Sequence, residues 1–255
     1  MRYELTVSFL LFYFISNTQE KIETDRPDQT ETAVLISKNI FQMELGFNKE
    51  NTKGDDYTLV HPTSLLKYGL SKRVELRLEI TCHSEYIRLL SQSKKTTVLE
   101  PFVLGGKIAL FEEKGWVPKT TFIGGISLPF LGSKEARTTN AAPAFRFTMQ
   151  NSLSKTIGLG YNVGAEWDGE TSTPIWIYTF APGFSIGEKW YAYIEAFGFI
   201  RKNDSPDNNL DGGFAYFISN DVKADISGGI GLSENSLKNY IALGLSFRIN
   251  AKKKS

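Results

Sequence analysis

Few residues in this 255-residue chain could do covalent or metal chemistry. There are two histidines, His61 and His83, and one cysteine, Cys82. One cysteine makes no intramolecular disulfide and no cysteine-based metal site, and two histidines give no histidine-rich one, so neither metal nor cofactor is expected. Nucleophilic catalysis would need a serine activated by a histidine and oriented by an acid. No such arrangement is evident, and both histidines fall in the charged phase of a strand or in loops. Charge at every second position is abundant. Residues 74–81 read Val-Glu-Leu-Arg-Leu-Glu-Ile-Thr. Period-two alternation makes a strand with one apolar and one polar face. Such a polar row can pair ions and hydrogen-bond a neighbouring segment or a solute.

The same alternation recurs around residues 41–47, 66–70, 107–110, 122–128, 145–150, 157–167, 178–185, 211–218, 223–230 and 241–249. Helical spacing is almost absent. About twelve strands result, each near the ten residues that a tilted membrane strand needs. Short connections (Ser71-Lys72, Asn151 to Lys155, Gly187 to Lys189, Asn220-Asp221, and the longer Glu112 to Lys119) alternate with longer polar ones. The longer set is Asn48 to Asp56, Ser84 to Thr97, Leu131 to Thr139, Trp167 to Thr173, Arg201 to Asn209 and Ser233 to Asn239. Membrane barrels alternate short periplasmic turns with longer outer loops in this way. A soluble sandwich would share the period but has no reason to alternate its loops.

Residues 1–19 have one Arg, a short apolar run and then small polar residues, the layout of a secretory signal peptide. An uncleaved anchor is the alternative. No later stretch is apolar enough for a spanning helix, and the mean hydropathy is −0.21. A net charge of +1 gives no pull on nucleic acid, so none is expected as a partner. The expected organisation is a signal peptide at 1–19, a polar segment at 20–38, an all-β antiparallel transmembrane barrel at 39–250 and a basic tail at 251–255. The expected partners are outer-membrane lipid, a small solute and the barrel-assembly machinery.

If the apolar phase faces lipid, the other phase lines a lumen. It carries Glu44, Lys67, Glu75, Arg77, Glu79, Lys107, Arg146, Glu166, Glu195, Asp211, Lys223, Asp225 and Arg248. The signs nearly balance, which argues for a paired network and against a one-signed ring. Glycines 158, 160, 164, 183, 213, 229, 231 and 244 share this phase. They leave a passage, accommodate an inserted segment or relieve strand curvature. In the stretch from Trp190 to Phe199, Glu195 shares its phase with Tyr191, Tyr193, Phe197 and Phe199. A carboxylate facing lipid is costly, so these aromatics are expected in the lumen, as a wall for aromatic solutes or as ordinary packing. The segment Glu23 to Glu31 is too polar for a lipid-facing strand. It is either a solvated leader or a plug in the periplasmic mouth, pairing Asp25, Arg26, Asp28 and Glu31 with lumenal charges.

Several segments resemble a known family. Thr24-Asp25-Arg26-Pro27-Asp28-Gln29-Thr30-Glu31, the strand ending Leu45-Gly46-Phe47, and residues 65–79 are similar to the bacterial outer-membrane transporter family labelled putative meta-pathway of phenol degradation. Residues 105–113, 127–132, 193–199, 211–219 and 225–232 extend the resemblance over nearly the whole mature chain. It implies an outer-membrane barrel that passes small hydrophobic or aromatic compounds. Leu128-Pro129-Phe130-Leu131-Gly132 departs from the family's Leu-Pro-Thr-Gly. The chain also ends in Ala251-Lys252-Lys253-Lys254-Ser255 and not on an aromatic, with Phe247 and Ile249 left as the assembly signal. A passive channel is the expected function. The alternatives are a structural barrel with a sealed lumen and an outer-membrane lipid hydrolase dependent on His61 or His83.

Overall fold

The computed structural model describes residues 21–88 and 93–251. The expected signal peptide and the lysines at 252–254 lie outside them. Thirteen β segments follow in chain order: β1 (Ile40–Asn51), β2 (Tyr57–Gly69), β3 (Val74–Arg88), β4 (Ser93–Leu99), β5 (Phe102–Phe111), β6 (Lys119–Leu128), β7 (Ala142–Ser152), β8 (Ile157–Glu166), β9 (Ile175–Ile186), β10 (Trp190–Ile200), β11 (Asp207–Ser219), β12 (Val222–Gly231) and β13 (Asn239–Asn250). Each pairs antiparallel with its neighbours, and β1 pairs with both β2 and β13, which closes the sheet. Among the described residues the only helical turns are Pro129–Leu131 and Lys134–Ala136.

The wall is twelve-stranded because β4 and β5 are one strand interrupted at Glu100-Pro101. Val74–Glu79 of β3 pairs with β5, and Cys82–Arg88 pairs with β4. Proline has no N–H to give the ladder, so the strand breaks there. The Glu100 N–H still reaches the Thr81 carbonyl at 2.8 Å. A second irregularity lies at His61-Pro62, where the β2 registers with β1 and β3 both shift. It is a bulge at a proline, placed where the missing donor does least harm.

The burial pattern is inverted relative to a soluble protein. Glu44, Lys67, Glu75 and Lys107 are at most 1% exposed, while Ile194 is 61% and Leu243 54% exposed. Exposed apolar side chains on the outward phase of β1, β3 and β5 to β13 make sense only with lipid as solvent. Ten to twelve residues tilted by about 40° span roughly 25–30 Å, enough for the hydrocarbon core. Outward aromatic clusters mark the two edges of this belt. Trp190 lies against Tyr216, with Lys189 over the Tyr216 ring. At the other edge Tyr57 stacks on Tyr86, between Lys49 and Lys95. Such rings sit at headgroup level. The closed barrel with this belt is a bacterial outer-membrane barrel.

Some outer loops are shorter than the sequence suggests. The expected loop Ser84 to Thr97 is largely a hairpin, with β3 continuing to Arg88 and β4 starting at Ser93. The loop at Asn48 to Asp56 shrinks to 52–56. Above the lipid a strand faces water on both sides and loses its apolar phase, so polarity there does not mark a loop. At the opposite end the turns are held locally. The Ser152 backbone N–H and hydroxyl bind Glu113 at 2.7 and 2.8 Å, holding its carboxyl below the usual range.

Ile194 is central in β10 and Trp190 lies at its edge. Ile194→Arg should destabilise the barrel by about 2–4 kcal/mol and Trp190→Arg by about 0–1 kcal/mol. The urea midpoint of the folded-band shift on gels measures both. Equal costs at the two depths would contradict the assignment of this face to lipid.

Candidate functional site

Residues 21–39 run inside the barrel. The Ile22 N–H bonds the Asn220 carbonyl in the β11–β12 turn at 2.8 Å, and the Asn39 N–H bonds the Gly69 carbonyl. Both ends therefore sit at the short-turn rim, the periplasmic end in barrels of this kind. Between them the chain rises to mid-height and returns. Its tip touches four strands, β7 to β10. Glu195 accepts the Gln29 N–H at 2.7 Å and the Thr30 hydroxyl at 2.5 Å. Thr30 also bonds Thr179 at 2.7 Å. Asn162 accepts the Glu31 N–H at 2.7 Å and donates to its carbonyl at 3.0 Å. Arg146 donates to the Gln29 carbonyl at 3.1 Å.

The strongest anchorage is ionic. The β2–β3 register puts Lys67 directly opposite Arg77, and β3–β5 puts Glu75 opposite Lys107. Two facing cations destabilise a sheet unless an anion comes between them. Asp25 supplies it. Its carboxylate lies 2.8 Å from Lys67, 2.9 Å from Arg77 and 3.0 Å from Lys107. Glu44 pairs with Lys67 and accepts the N–H groups of Asp25 and Arg26 at 3.0 and 3.2 Å. Glu75 is 3.3 Å from Arg77 and accepts the Ile36 N–H. Glu31 is 2.7 Å from Arg77. Four carboxylates, two from the segment and two from the wall, thus surround three buried cations, and only Glu31 among the seven keeps partial access to the cavity.

A second anchor holds Arg26. It pairs with Asp225 at 3.0 Å, and Lys223 donates to its carbonyl at 2.8 Å. Gly46 and Gly244 face each other across β1–β13. A Cβ on Gly46 would strike the Arg26 guanidinium, and one on Gly244 would strike Arg26 Nε and the Asp225 carboxylate. These two glycines are the seat of one arginine.

The sequence-selected residues separate into three groups. Glu44, Lys67, Glu75, Arg77, Lys107, Arg146, Glu195, Lys223 and Asp225 touch the segment directly. Glu79 and Glu166 are in the lumenal phase but make no ion pair with it. Asp211 is held by the Tyr240 hydroxyl. Arg248 lies at the rim, 2.8 Å from Asp221 in the turn, and not deep in the lumen. Tyr193 and Phe197 are 2% and 7% exposed on the inward phase, and Phe199 packs edge-on to Phe197. Tyr191 and Asp28 line a cavity of about 300 Å³ beside the segment, together with Gly158, Gly160 and Gly183 of β8 and β9. The cavity lies on the β7–β10 side and adjoins Ser154 and Gly187 of the short turns. Sequence reasoning missed Gln42, Thr30, Asn162 and Tyr240. The only signal of Gln42, Asn162 and Tyr240 is the inward phase, which does not identify a partner, and Thr30 lies in the polar segment, on no strand, with no phase at all.

One expectation needs correction. The bulge turns His61 outward, and its Nε2 lies 2.8 Å from Ser84 Oγ, so a serine–histidine contact does exist. Ser84 is fully buried and shares its hydroxyl with Thr97 at 2.7 Å. No carboxylate among the described residues bonds His61. The contact joins three strands by hydrogen bonds and presents no accessible nucleophile. His83 faces inward, between Glu100 at 3.1 Å and Glu85 at 3.6 Å.

Asp25→Asn removes a charge from among three buried cations and should weaken docking of the segment by about 3–5 kcal/mol. Amide hydrogen exchange of residues 25–36 is expected to rise at least about a hundredfold, because each 1.4 kcal/mol is a factor of ten. Unchanged protection would show that Asp25 does not hold the segment.

Solved structures share this architecture at low identity. The COG4313 outer membrane channel from Pseudomonas putida F1 aligns with a TM-score of 0.63 and 10% identity, covering 85% of this chain and 98% of that one. The NanC porin aligns at 0.51 with 10% identity, covering 82% and 100%. The KdgM porin aligns at 0.50 with 9% identity, covering 80% and 98%. These likenesses show the fold. No curated relative matches the chain. The family model described as "Putative MetA-pathway of phenol degradation" matches residues 24–249, from the Thr24 that opens the lumenal segment almost to the end of β13, and the chain belongs to that family.

Proposed function

We propose that this protein is a passive outer-membrane channel for small hydrophobic or aromatic solutes, and that residues 20–38 act as a plug that narrows the route. The observation that carries the reading is the lopsided lumen. The segment is bound by ion pairs to β2, β3, β5 and β12 and by backbone N–H groups to Glu44 of β1, where long charged side chains fill the space. On the β7–β10 side the wall turns to glycine and a cavity remains. Gly183 leaves room for the Tyr191 ring, because a Cβ there would collide with the phenol. Tyr191 lines that cavity, and a phenol ring there suits aromatic solutes, since ring faces and edges stack favourably. The family description, with its reference to phenol degradation, supports the same solute class.

The dense buried pairing favours a second reading, a structural barrel whose lumen is sealed. Planar-bilayer recording separates the two. The mature protein is expected to carry small currents, and deletion of Glu23 to Glu31 should raise the unit conductance several-fold. A conductance unchanged by the deletion would sink the plug. Silence from both proteins, with insertion verified, would favour the sealed barrel.

A further inference from the structure

The balance of charge along the lumen is a sum over the whole barrel, and the structure divides that sum by height. Lys67, Arg77, Lys107 and Lys223 all lie in the half nearer the short turns, each bonded to the segment or to a neighbouring carboxylate. The inward phase of the outer half is different. It carries Glu50 on β1, Glu79 and Glu85 on β3, Glu166 on β8, and Asp207 and Asp211 on β11. Against these six, Arg146 is one cation, hydrogen-bonded to the neutral Gln29 carbonyl with its charge kept, and His83 sits between Glu85 and a further carboxylate, Glu100. Lys94, also in the inward phase, stands exposed near the tip of the β3–β4 hairpin, beyond the wall. Glu79 and Glu85 are exposed and keep access to water. Carboxylates of one sign inside a low-dielectric wall focus their field along the axis and concentrate counter-ions there.

A separate feature faces the inner limit of this region. Glu195 and Asp211 lie directly opposite each other across β10–β11, and Tyr193 is the next inward residue on the same strand. Its hydroxyl has no hydrogen-bond partner among the described residues, although the residue is only 2% exposed. That oxygen stands in the field of the Asp211, Asp28 and Glu195 carboxylates. A buried oxygen without a donor, beside carboxylates and aromatic rings, matches an ammonium group, which brings three donors and binds ring faces.

We propose that the outer half of the lumen is a cation-collecting vestibule, and that the solutes it admits are small organic cations: protonated amines on an apolar or aromatic body. Anions of the same size are turned away. This rests on the channel reading above and adds the sign of the solute's charge.

Reversal potentials test it. The mature protein is recorded in a planar bilayer across an about tenfold KCl gradient, and the deletion of Glu23 to Glu31 is recorded in parallel. The expected result is potassium over chloride permeability of about threefold or more. The ratio should fall towards one in the Glu79→Gln/Glu85→Gln/Glu166→Gln variant, whose side chains make no ion pair with the segment. Phenylethylammonium in place of potassium should still carry current, while benzoate in place of chloride should carry almost none. A conducting protein with a ratio at or below one, or a ratio kept by the triple variant, overturns the inference and leaves the channel standing. Silence from both proteins overturns the channel and this inference together.

Discussion

The structure depends on one carboxylate that does not belong to the barrel wall. Lys67, Arg77 and Lys107 stand on β2, β3 and β5 with their charges converging on Asp25. A wall that faces two cations across a strand pair is unfavourable alone. Glu44 and Glu75 offset part of that repulsion, and Asp25 and Glu31 offset the remainder. Desolvating this many charges is expensive, so the cluster holds together only when every member is present. Breaking any buried pair leaves a charge with neither water nor counter-ion. The wall is thus built to hold the segment, and the segment's position follows from the wall's charges.

Around that cluster, side-chain size decides where the segment does not go. Its charged face lies towards the long lysines and arginines of β2, β3, β5 and β12. Arg26 needs two opposed glycines to fit between β1 and β13. On the far side, β8 and β9 give up side chains at Gly158, Gly160 and Gly183; the Thr30 methyl packs at Gly160, and a cavity of about 300 Å³ remains beside the segment. Ion pairing on one wall and missing side chains on the other make an off-centre constriction. A central plug would need ion pairs distributed all round, and the β7–β10 wall holds the segment by hydrogen bonds from Arg146, Thr148, Asn162, Thr179 and Glu195, with no ion pair to it among the described residues.

Much of this was legible in the sequence, for a simple reason. A strand that meets lipid on one face and a charged lumen on the other must alternate without error, so residues 74–81 announce both faces. The closed twelve-stranded barrel follows from repeating that pattern. Legibility ended where the solvent changed. Beyond the lipid, β3 and β4 lose their apolar phase and resemble a loop. The Pro62 bulge reverses the direction of His61, which a strict two-residue count places inward. Nor could the phase show which charges meet. Lys67 and Arg77 are ten residues apart in sequence and directly opposed in register, and Asp25 joins them from outside every strand. Asn162 was missed for the same reason, because a neutral polar residue in the inward phase announces a location and not a partner, and Thr30, on no strand, has no phase to announce even a location.

Height is the other quantity that a linear reading hides. Antiparallel strands run up and down in turn, so charges distant in sequence share a level and neighbours in one strand do not. Glu75, Arg77 and Glu79 are successive inward residues of β3. The first two are locked into the ionic cluster, and the third is exposed to lumenal water. Counting signs along β3 hides that division. A lumen neutral in sum can therefore be strongly polar along its axis: cations and their partners consumed in fixing the segment below, carboxylates without such partners above. The same ion pairs that immobilise the segment remove the positive charges from the space a solute would traverse, so anchoring and charge preference arise from a single arrangement of side chains.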